Sequence, residues 1–186
     1  MIGKFLKKQF ADFGARYTYD TRYMQALVDT DQRGAIKLVL ASFFTRHHFG
    51  LAAAPYYAAK IIATRHADCG SCLRLAIDMA KEQGVPLADI RQIMSNDDNA
   101  APADMALAAR YARAVLENAP ALPEIIEECT ARWGKGGVAG LAAAVTSGQF
   151  YPIFKRGLGH GNACTSVMAW LDSQPDRAAH GEIQNA

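Results

Sequence analysis

The best candidates for a chemical role in this sequence are two cysteines separated by two residues, in the segment Cys69-Gly-Ser-Cys72. The pair stands at the predicted start of a helix, where unpaired backbone N–H groups and the positive end of the helix dipole favour a thiolate. Thiols three positions apart can also close a disulfide across a short loop. Burial on an apolar helix face would raise a thiol pKa instead, so the sequence leaves the net direction open.

A histidine three residues before the pair is the nearest candidate for a proton acceptor. His66 could take a proton from a thiol or stabilise a thiolate. The alternative is structural: Arg65 and His66 would stabilise the C-terminus of one helix, and Asp68 would cap the next helix. Both interpretations of His66 stay open at this point.

A Cys-x-x-Cys pair also occurs in structural zinc sites, which normally need a second pair of ligands. Cys129 and Cys164 stand alone in the sequence, and the adjacent histidines 47 and 48 are not at a helical ligand spacing. We therefore expect neither a metal nor a bound cofactor, and we interpret Cys129 and Cys164 as buried small side chains. An inert structural role for the Cys69/Cys72 pair is the remaining alternative.

The helical repeat dominates the rest of the chain and predicts an all-α fold. In the cysteine segment, apolar residues recur at helical spacing and place both cysteines on the buried side of a helix over 69–83. Proline and glycine positions help to bound the helices predicted elsewhere. These helices cover residues 34–44, 56–65, 86–94, 102–118, 122–133 and 138–146, with a glycine hinge at 134–137. We found no convincing strand pair.

Composition limits the classes of function. The 186 residues are 51% hydrophobic and 20% charged, which predicts one helical domain over 1–171 and a polar, flexible tail over 172–186. A net charge of +2 without long charged blocks gives no reason to expect a nucleic acid partner. No apolar run has membrane-spanning length, the basic start does not fit a signal peptide, and four cysteines do not fit a secreted disulfide scaffold. These features predict a cytoplasmic protein.

The stretch from Tyr56 to Pro86, which reads YYAAKIIATRHADCGSCLRLAIDMAKEQGVP, resembles the core of the alkylhydroperoxidase AhpD-like and carboxymuconolactone decarboxylase superfamily. The resemblance is closest over 55–94. It implies an AhpD-like helical bundle with the Cys-x-x-Cys at the start of a core helix, assembled as a homo-oligomer such as a trimer or hexamer. It also implies that Cys72 attacks a peroxide and becomes a sulfenic acid, which Cys69 resolves as a disulfide. A dithiol or disulfide protein partner would then reduce the pair.

This sequence departs from the peroxidase branch at the proton relay. Ala76 and Tyr57 stand where that branch has a histidine and a glutamate, so either His66 or Tyr57 takes over the relay or peroxidase activity is low. The leading hypothesis is a thiol-dependent oxidoreductase that reduces a peroxide or exchanges a disulfide. The alternatives are a lyase or isomerase for a small carboxylated substrate, using Arg65, Arg74, His66 and Tyr57, and a non-catalytic oligomeric protein with an inert dithiol.

Overall fold

The computed structural model describes residues 2–95, 100–161 and 167–174, and these residues form nine α-helices without a β-strand. The predicted all-α fold is therefore confirmed. Most of the tail predicted over 172–186 lies outside the described residues, and so does Cys164. The helices are α1 (Ile2–Tyr17), α2 (Arg22–Thr30), α3 (Gln32–Phe44), α4 (Ala53–His66), α5 (Gly70–Glu82), α6 (Leu87–Met94), α7 (Ala103–Glu117), α8 (Leu122–Gly157) and α9 (Val167–Asp172).

Helix α4 lies at the centre of the fold. Every residue from Pro55 to Thr64 is buried, so this helix is enclosed on all sides rather than amphipathic. It packs against α5, α6, α7 and α8. Alanines at 58, 59 and 63 are fully buried and leave room for neighbouring helices to approach closely. The apolar residues buried around α4 are called the central cluster below, and they include Ile61, Ile77, Ile90, Met105 and Leu141.

Helix α8 reaches α4 through glycine. A Cβ atom added at Gly148 would lie 2.7 Å from both the Ala63 Cβ and the Lys60 carbonyl oxygen. A contact that short has no room for a side chain, so only glycine permits this approach of α8 to the backbone of α4. The position of every later residue of α8 depends on that contact.

The glycine hinge predicted at 134–137 is present as a sharp kink inside α8. Gly134 has φ +68° and ψ 179°, a conformation that favours glycine. Beyond the kink, α8 continues to Gly157, well past the end predicted at 146. Phe150, Tyr151 and Phe154 pack against residues of the N-terminal helices, and this long-range packing has no signature in the local sequence.

The first three helices build a second, smaller group of buried side chains, called the N-terminal cluster below. Its members are Leu6, Phe10, Tyr19, Tyr23, Met24, Val28, Ala35 and Leu38, together with Cys69 and Cys72 from α5. The N-terminal segment is thus a helix that packs against the rest of the fold. Among the described helices, none combines the length and the apolar character needed to cross a membrane.

Candidate redox site

The two cysteines lie side by side at the start of α5. Cys69 is the N-cap residue and Cys72 the third helical residue, and they are 3% and 5% exposed. Their Sγ atoms are 2.7 Å apart and are not joined in a disulfide. The prediction that both cysteines lie on the buried side of a helix is confirmed. The sulfurs are close enough to share a proton or to close a disulfide with little movement of the backbone.

The turn before α5 differs from the expectation in one respect. Asp68 does not cap the helix: its side chain is exposed, its φ is +52°, and Cys69 occupies the N-cap position. No side-chain cap hydrogen bond forms at Cys69. The first-turn N–H groups therefore have no side-chain acceptor, although the Cys72 backbone N–H lies near enough to the Cys69 sulfur to help lower its pKa.

The two thiols have opposite acidities. The pKa of Cys69 falls to about 5, chiefly because the Cys72 thiol can donate a hydrogen bond to the Cys69 thiolate, and this outweighs the opposing effect of burial. The pKa of Cys72 is raised by the same hydrogen bond and by burial. Once the pair has lost one proton, the remaining proton lies on Cys72. The pair therefore titrates as a unit with one proton held between two sulfurs.

A buried lysine from α8 supports the negative charge. Lys155 is 3% exposed, and its Nζ donates a hydrogen bond to the Ser71 Oγ over 2.9 Å. The Ser71 Oγ is in turn 3.7 Å from the Cys69 Sγ. The lysine charge helps to lower the pKa of both thiols. Because Lys155 is desolvated, its charge acts on the sulfurs with less screening than a surface lysine would have.

Two tyrosines complete the surroundings of the pair. The Tyr19 hydroxyl is 3.5 Å from the Cys72 Sγ and 3.3 Å from the Tyr23 hydroxyl. Burial raises the pKa of Tyr19 above its ordinary range, so this phenol stays protonated and can donate a hydrogen bond to sulfur. The Lys155 ammonium lies 4.9 Å from the Tyr19 ring centre. A continuous polar chain therefore runs from Lys155 through Ser71 and the two sulfurs to the tyrosines.

The candidate bases from the sequence do not join this chain. His66 is the last residue of α4, is exposed, and makes no hydrogen bond to either sulfur in the described structure. Tyr57 packs its ring against His48 and Tyr56 and makes no hydrogen bond to a sulfur. Ala76 lines a cavity next to Cys72. Ala76, which stands where the peroxidase branch named above has a relay histidine, therefore offers only a methyl group beside this cavity.

The residues considered for a lyase site do not converge. Arg65 donates to the Met94 carbonyl oxygen, whereas the Arg74 guanidinium lies 4.7 Å from the Trp170 ring centre. Neither arginine is among the residues that line the cavity containing Tyr57 or the cavity containing Cys72. Cys129 is fully buried in the central cluster, as the sequence predicts. Within 2–95, 100–161 and 167–174, no three metal-ligating side chains of the His, Cys, Asp and Glu types gather at one point.

Sequence reasoning missed Lys155, Tyr19, Tyr23 and Ser71. Tyr19 and Tyr23 precede the cysteines by about fifty positions, and Lys155 follows them by more than eighty, so no local pattern connects them to the cysteines. One signal was present: Lys155 follows the apolar segment Phe150-Tyr-Pro-Ile-Phe154, where a charged side chain that packs inward needs a partner.

Comparison with known proteins adds no relative. No family model, no curated protein and no solved structure matches this chain.

Proposed function

We propose that this protein is a thiol-dependent oxidoreductase of the AhpD-like type, which reduces a peroxide or exchanges a disulfide through Cys69 and Cys72. The observation that carries the proposal is the contact between two free sulfurs 2.7 Å apart at a helix N-terminus, one with its pKa lowered to about 5. A structural cysteine in an apolar core has a raised pKa, as Cys129 does at about 11. Perturbed groups of this kind concentrate at functional sites.

The proposed reaction is a two-electron oxidation of the dithiol. A thiolate attacks the terminal peroxide oxygen, so that an S–O bond forms, the O–O bond breaks, and the alkoxide leaves with a proton as an alcohol. The second thiol then displaces water from the sulfenic acid and closes the disulfide. A dithiol reductant, supplied by a small molecule or a partner protein, returns the pair to its reduced form by thiol–disulfide exchange.

The two sulfurs favour different steps of this reaction. Cys72 lines the adjacent cavity and Cys69 does not, which supports Cys72 as the sulfur that meets a peroxide. Cys69 holds the resting negative charge. We propose that the Cys69 thiolate accepts the Cys72 proton as the peroxide approaches, with the Tyr19 hydroxyl stabilising the charge on Cys72. The dithiol would then supply the base that Ala76 and Tyr57 do not provide.

The test is oxidation of the purified chain by one equivalent of cumene hydroperoxide, followed by thiol counting and intact mass. The wild type should lose two thiols and recover them with dithiothreitol. Cys69→Ser should trap a sulfenic acid on Cys72 that reacts with dimedone, and it should form this acid more slowly than the wild type loses its thiols. Cys129→Ser, which changes a buried cysteine of the central cluster, should behave like the wild type.

Two results would overturn the proposal. One is that Cys69 and Cys72 never form a reversible disulfide after oxidation. The other is that peroxide consumption is unchanged in Cys72→Ser. Alkylation of both thiols at the slow rate of buried, unperturbed cysteines would instead favour a non-catalytic protein with an inert dithiol.

The homo-oligomer implied by the family resemblance is also a proposal. Helices α1 and α3 expose large apolar side chains, namely Ile2, Phe5, Leu40, Phe43 and Phe44. Such residues favour contact with another surface. Sedimentation equilibrium of the whole chain tests it: a trimer or hexamer is expected, and a monomer at high concentration would contradict it.

A further inference from the structure

A cavity of about 390 Å³ lies beside Cys72, between the N-terminal helices and helices α4, α5 and α8. Its walls are mostly apolar and aromatic, and Phe10, Met24 and Leu38 are among them. Phe5 and Phe43, which also line it, are 61% and 63% exposed and so place its apolar edge at the protein surface. This volume lies within the usual range for small-molecule sites. No aspartate or glutamate is among the described residues that line it.

One wall of the cavity carries a buried lysine from the middle of α4. Lys60 is 8% exposed, and its ammonium lies 5.9 Å and 5.8 Å from the ring centres of Tyr56 and Tyr57. Across the described ranges, its Nζ donates no hydrogen bond and pairs with no carboxylate. Burial lowers the Lys60 pKa to about 8, which still leaves the amine mostly charged at neutral pH. A buried ammonium that lacks an acceptor costs free energy, and an anion would remove that cost.

A second cation and an unsatisfied hydroxyl lie on the same cavity. The exposed Arg46 donates from its Nε to the Ser42 carbonyl oxygen and has no carboxylate partner in the described structure. The buried Ser147 hydroxyl also makes no hydrogen bond of acceptable geometry, although the Tyr56 phenol is close to it. Some other arginines do pair with carboxylates, as in the Arg16–Glu82 and Arg132–Asp104 pairs. The cavity thus combines unpaired positive charge with an apolar surface.

We infer that this cavity binds an apolar monocarboxylate, with its carboxylate on the Lys60 ammonium and its hydrocarbon chain among Phe10, Met24 and Leu38. A carboxylate fits better than a phosphate dianion because Lys60 is the one buried cation on the described wall, Arg46 being exposed, and a single buried positive charge balances a single negative charge. Because Cys72 lines the same cavity, a bound monocarboxylate would lie beside the dithiol. In that position the ligand class could include a substrate of the proposed redox reaction. The binding itself does not depend on the redox proposal, because neither sulfur contributes a contact that the inference uses.

Calorimetric titration of the whole chain with n-decanoate, decan-1-ol, decylammonium and acetate tests this inference. Decanoate should bind with one site per chain, decan-1-ol at least tenfold more weakly, and neither decylammonium nor acetate measurably. These ligands differ in charge and chain length, so the wild-type series alone decides whether an anionic head and an apolar tail are both required. Equal binding of decanoate and decan-1-ol, or no binding of decanoate, would overturn the inference.

Variants then locate the site. Lys60→Met keeps the length of the side chain, and we expect it to weaken decanoate binding at least tenfold while leaving decan-1-ol binding unchanged. Lys135→Met, at an exposed position of α8, is the matched control and should bind like the wild type. Val39→Trp, which fills the cavity from α3, should weaken both ligands. Unchanged decanoate affinity in folded Lys60→Met would contradict the assigned site.

The double variant Cys69→Ser/Cys72→Ser separates the two proposals. It should bind decanoate as the wild type does, although it has no dithiol to oxidise. Retained decanoate binding in this variant would support a binding site that does not depend on the dithiol, and loss of decanoate binding there would contradict that independence. Loss of decanoate binding in the wild type, with the disulfide still forming, would overturn the binding site and leave the redox proposal standing.

Discussion

The central cluster and the N-terminal cluster differ in what their side chains can do. The central cluster is built mainly from aliphatic residues and closely packed alanines around α4. The N-terminal cluster contains both sulfurs and the phenols of Tyr19 and Tyr23, and several of its residues line a cavity. Helix α5 contributes to both, with Leu73 and Ile77 in the first and Cys69 and Cys72 in the second. The central cluster therefore holds α5 in place, while the two sulfurs at the start of this helix lie in the N-terminal cluster.

Truncation of one side chain in each cluster should lower the stability of the fold to different extents. Ile77→Ala removes a fully buried side chain from the central cluster and should lower the free energy of unfolding by about 2–5 kcal/mol. Met24→Ala removes a side chain that already borders the cavity, so fewer contacts are lost and the loss should be at the low end of that range. Urea unfolding followed by circular dichroism measures both.

The same two variants should affect thiol access in the opposite order. Met24→Ala opens the cavity wall and should speed alkylation of Cys72 several-fold under native conditions. Ile77→Ala should leave that rate unchanged in the folded protein. If the central-cluster variant were the one with the more reactive thiol, the division of roles between the clusters would be wrong.

A smaller effect is expected from breaking the hydrogen bond between the two sulfurs. Cys72→Ala removes the main cause of the low Cys69 pKa, while burial continues to raise it. The pKa of Cys69 should therefore rise from about 5, and its alkylation rate near pH 6 should fall roughly tenfold for each unit that the pKa rises above that pH. The pH profile of iodoacetamide labelling measures this shift.

Cys129→Ala is the control for that experiment, because it removes a cysteine of the central cluster and leaves the pair intact. Its labelling profile should keep the wild-type midpoint. A midpoint for Cys69 that stayed near 5 in Cys72→Ala would show that the neighbouring thiol does not set its acidity.

Removing the buried cation should have a weaker effect, since its charge is the last of the causes that lower the Cys69 pKa. We expect Lys155→Met to raise the Cys69 pKa by less than Cys72→Ala does and to slow labelling near pH 5 a few-fold. Lys135→Met, on the same helix but exposed, should change nothing. Identical labelling profiles for Lys155→Met and Lys135→Met would show that Lys155 does not contribute to the acidity of Cys69.

The opposed acidities of the two cysteines also make the stability of the fold depend on pH. Because the pKa of Cys69 is depressed in the folded state, its contribution is fully present above the ordinary thiol pKa of 9.0 and is lost as pH falls through about 5. The pKa of Cys72 is raised, so its contribution is present below 9.0 and is lost as the pH rises further. The free energy of unfolding of the wild type, minus that of Cys69→Ser/Cys72→Ser, should therefore peak near pH 9 and decline on both sides. A flat difference from pH 5 to pH 9 would contradict the opposed acidities.

The sequence was most informative where structure depends on local pattern. The apolar spacing along 69–83 correctly placed the cysteines on the buried side of α5, and the glycine run correctly predicted a hinge, which is present at Gly134. The assignment of Asp68 as a cap failed because a single residue of left-handed backbone moves the start of α5 to Cys69. Cap assignments depend on such one-residue choices, which residue types alone do not determine.

The surroundings of the cysteines were not predictable in the same way. His66 is near the pair in sequence, yet it lies exposed at the end of α4, whereas Lys155 reaches Ser71 from more than eighty residues away. Lys60 was also missed from the sequence, although it stands alone among mostly apolar residues in the segment Tyr-Ala-Ala-Lys-Ile-Ile. A lone charge in such a segment predicts a buried ammonium, but only the tertiary structure reveals the cavity beside it.

The contact of Gly148 with the backbone of α4 also bears on how this chain can vary. Gly148 touches neither sulfur, yet it determines how closely α8 packs on α4. Lys155 lies about two helical turns further along α8. Even an alanine there would displace α8, and the ammonium would move away from Ser71 with it. We therefore expect selection to retain glycine at position 148 as strictly as the residues that carry the chemistry, although glycine has no functional group of its own.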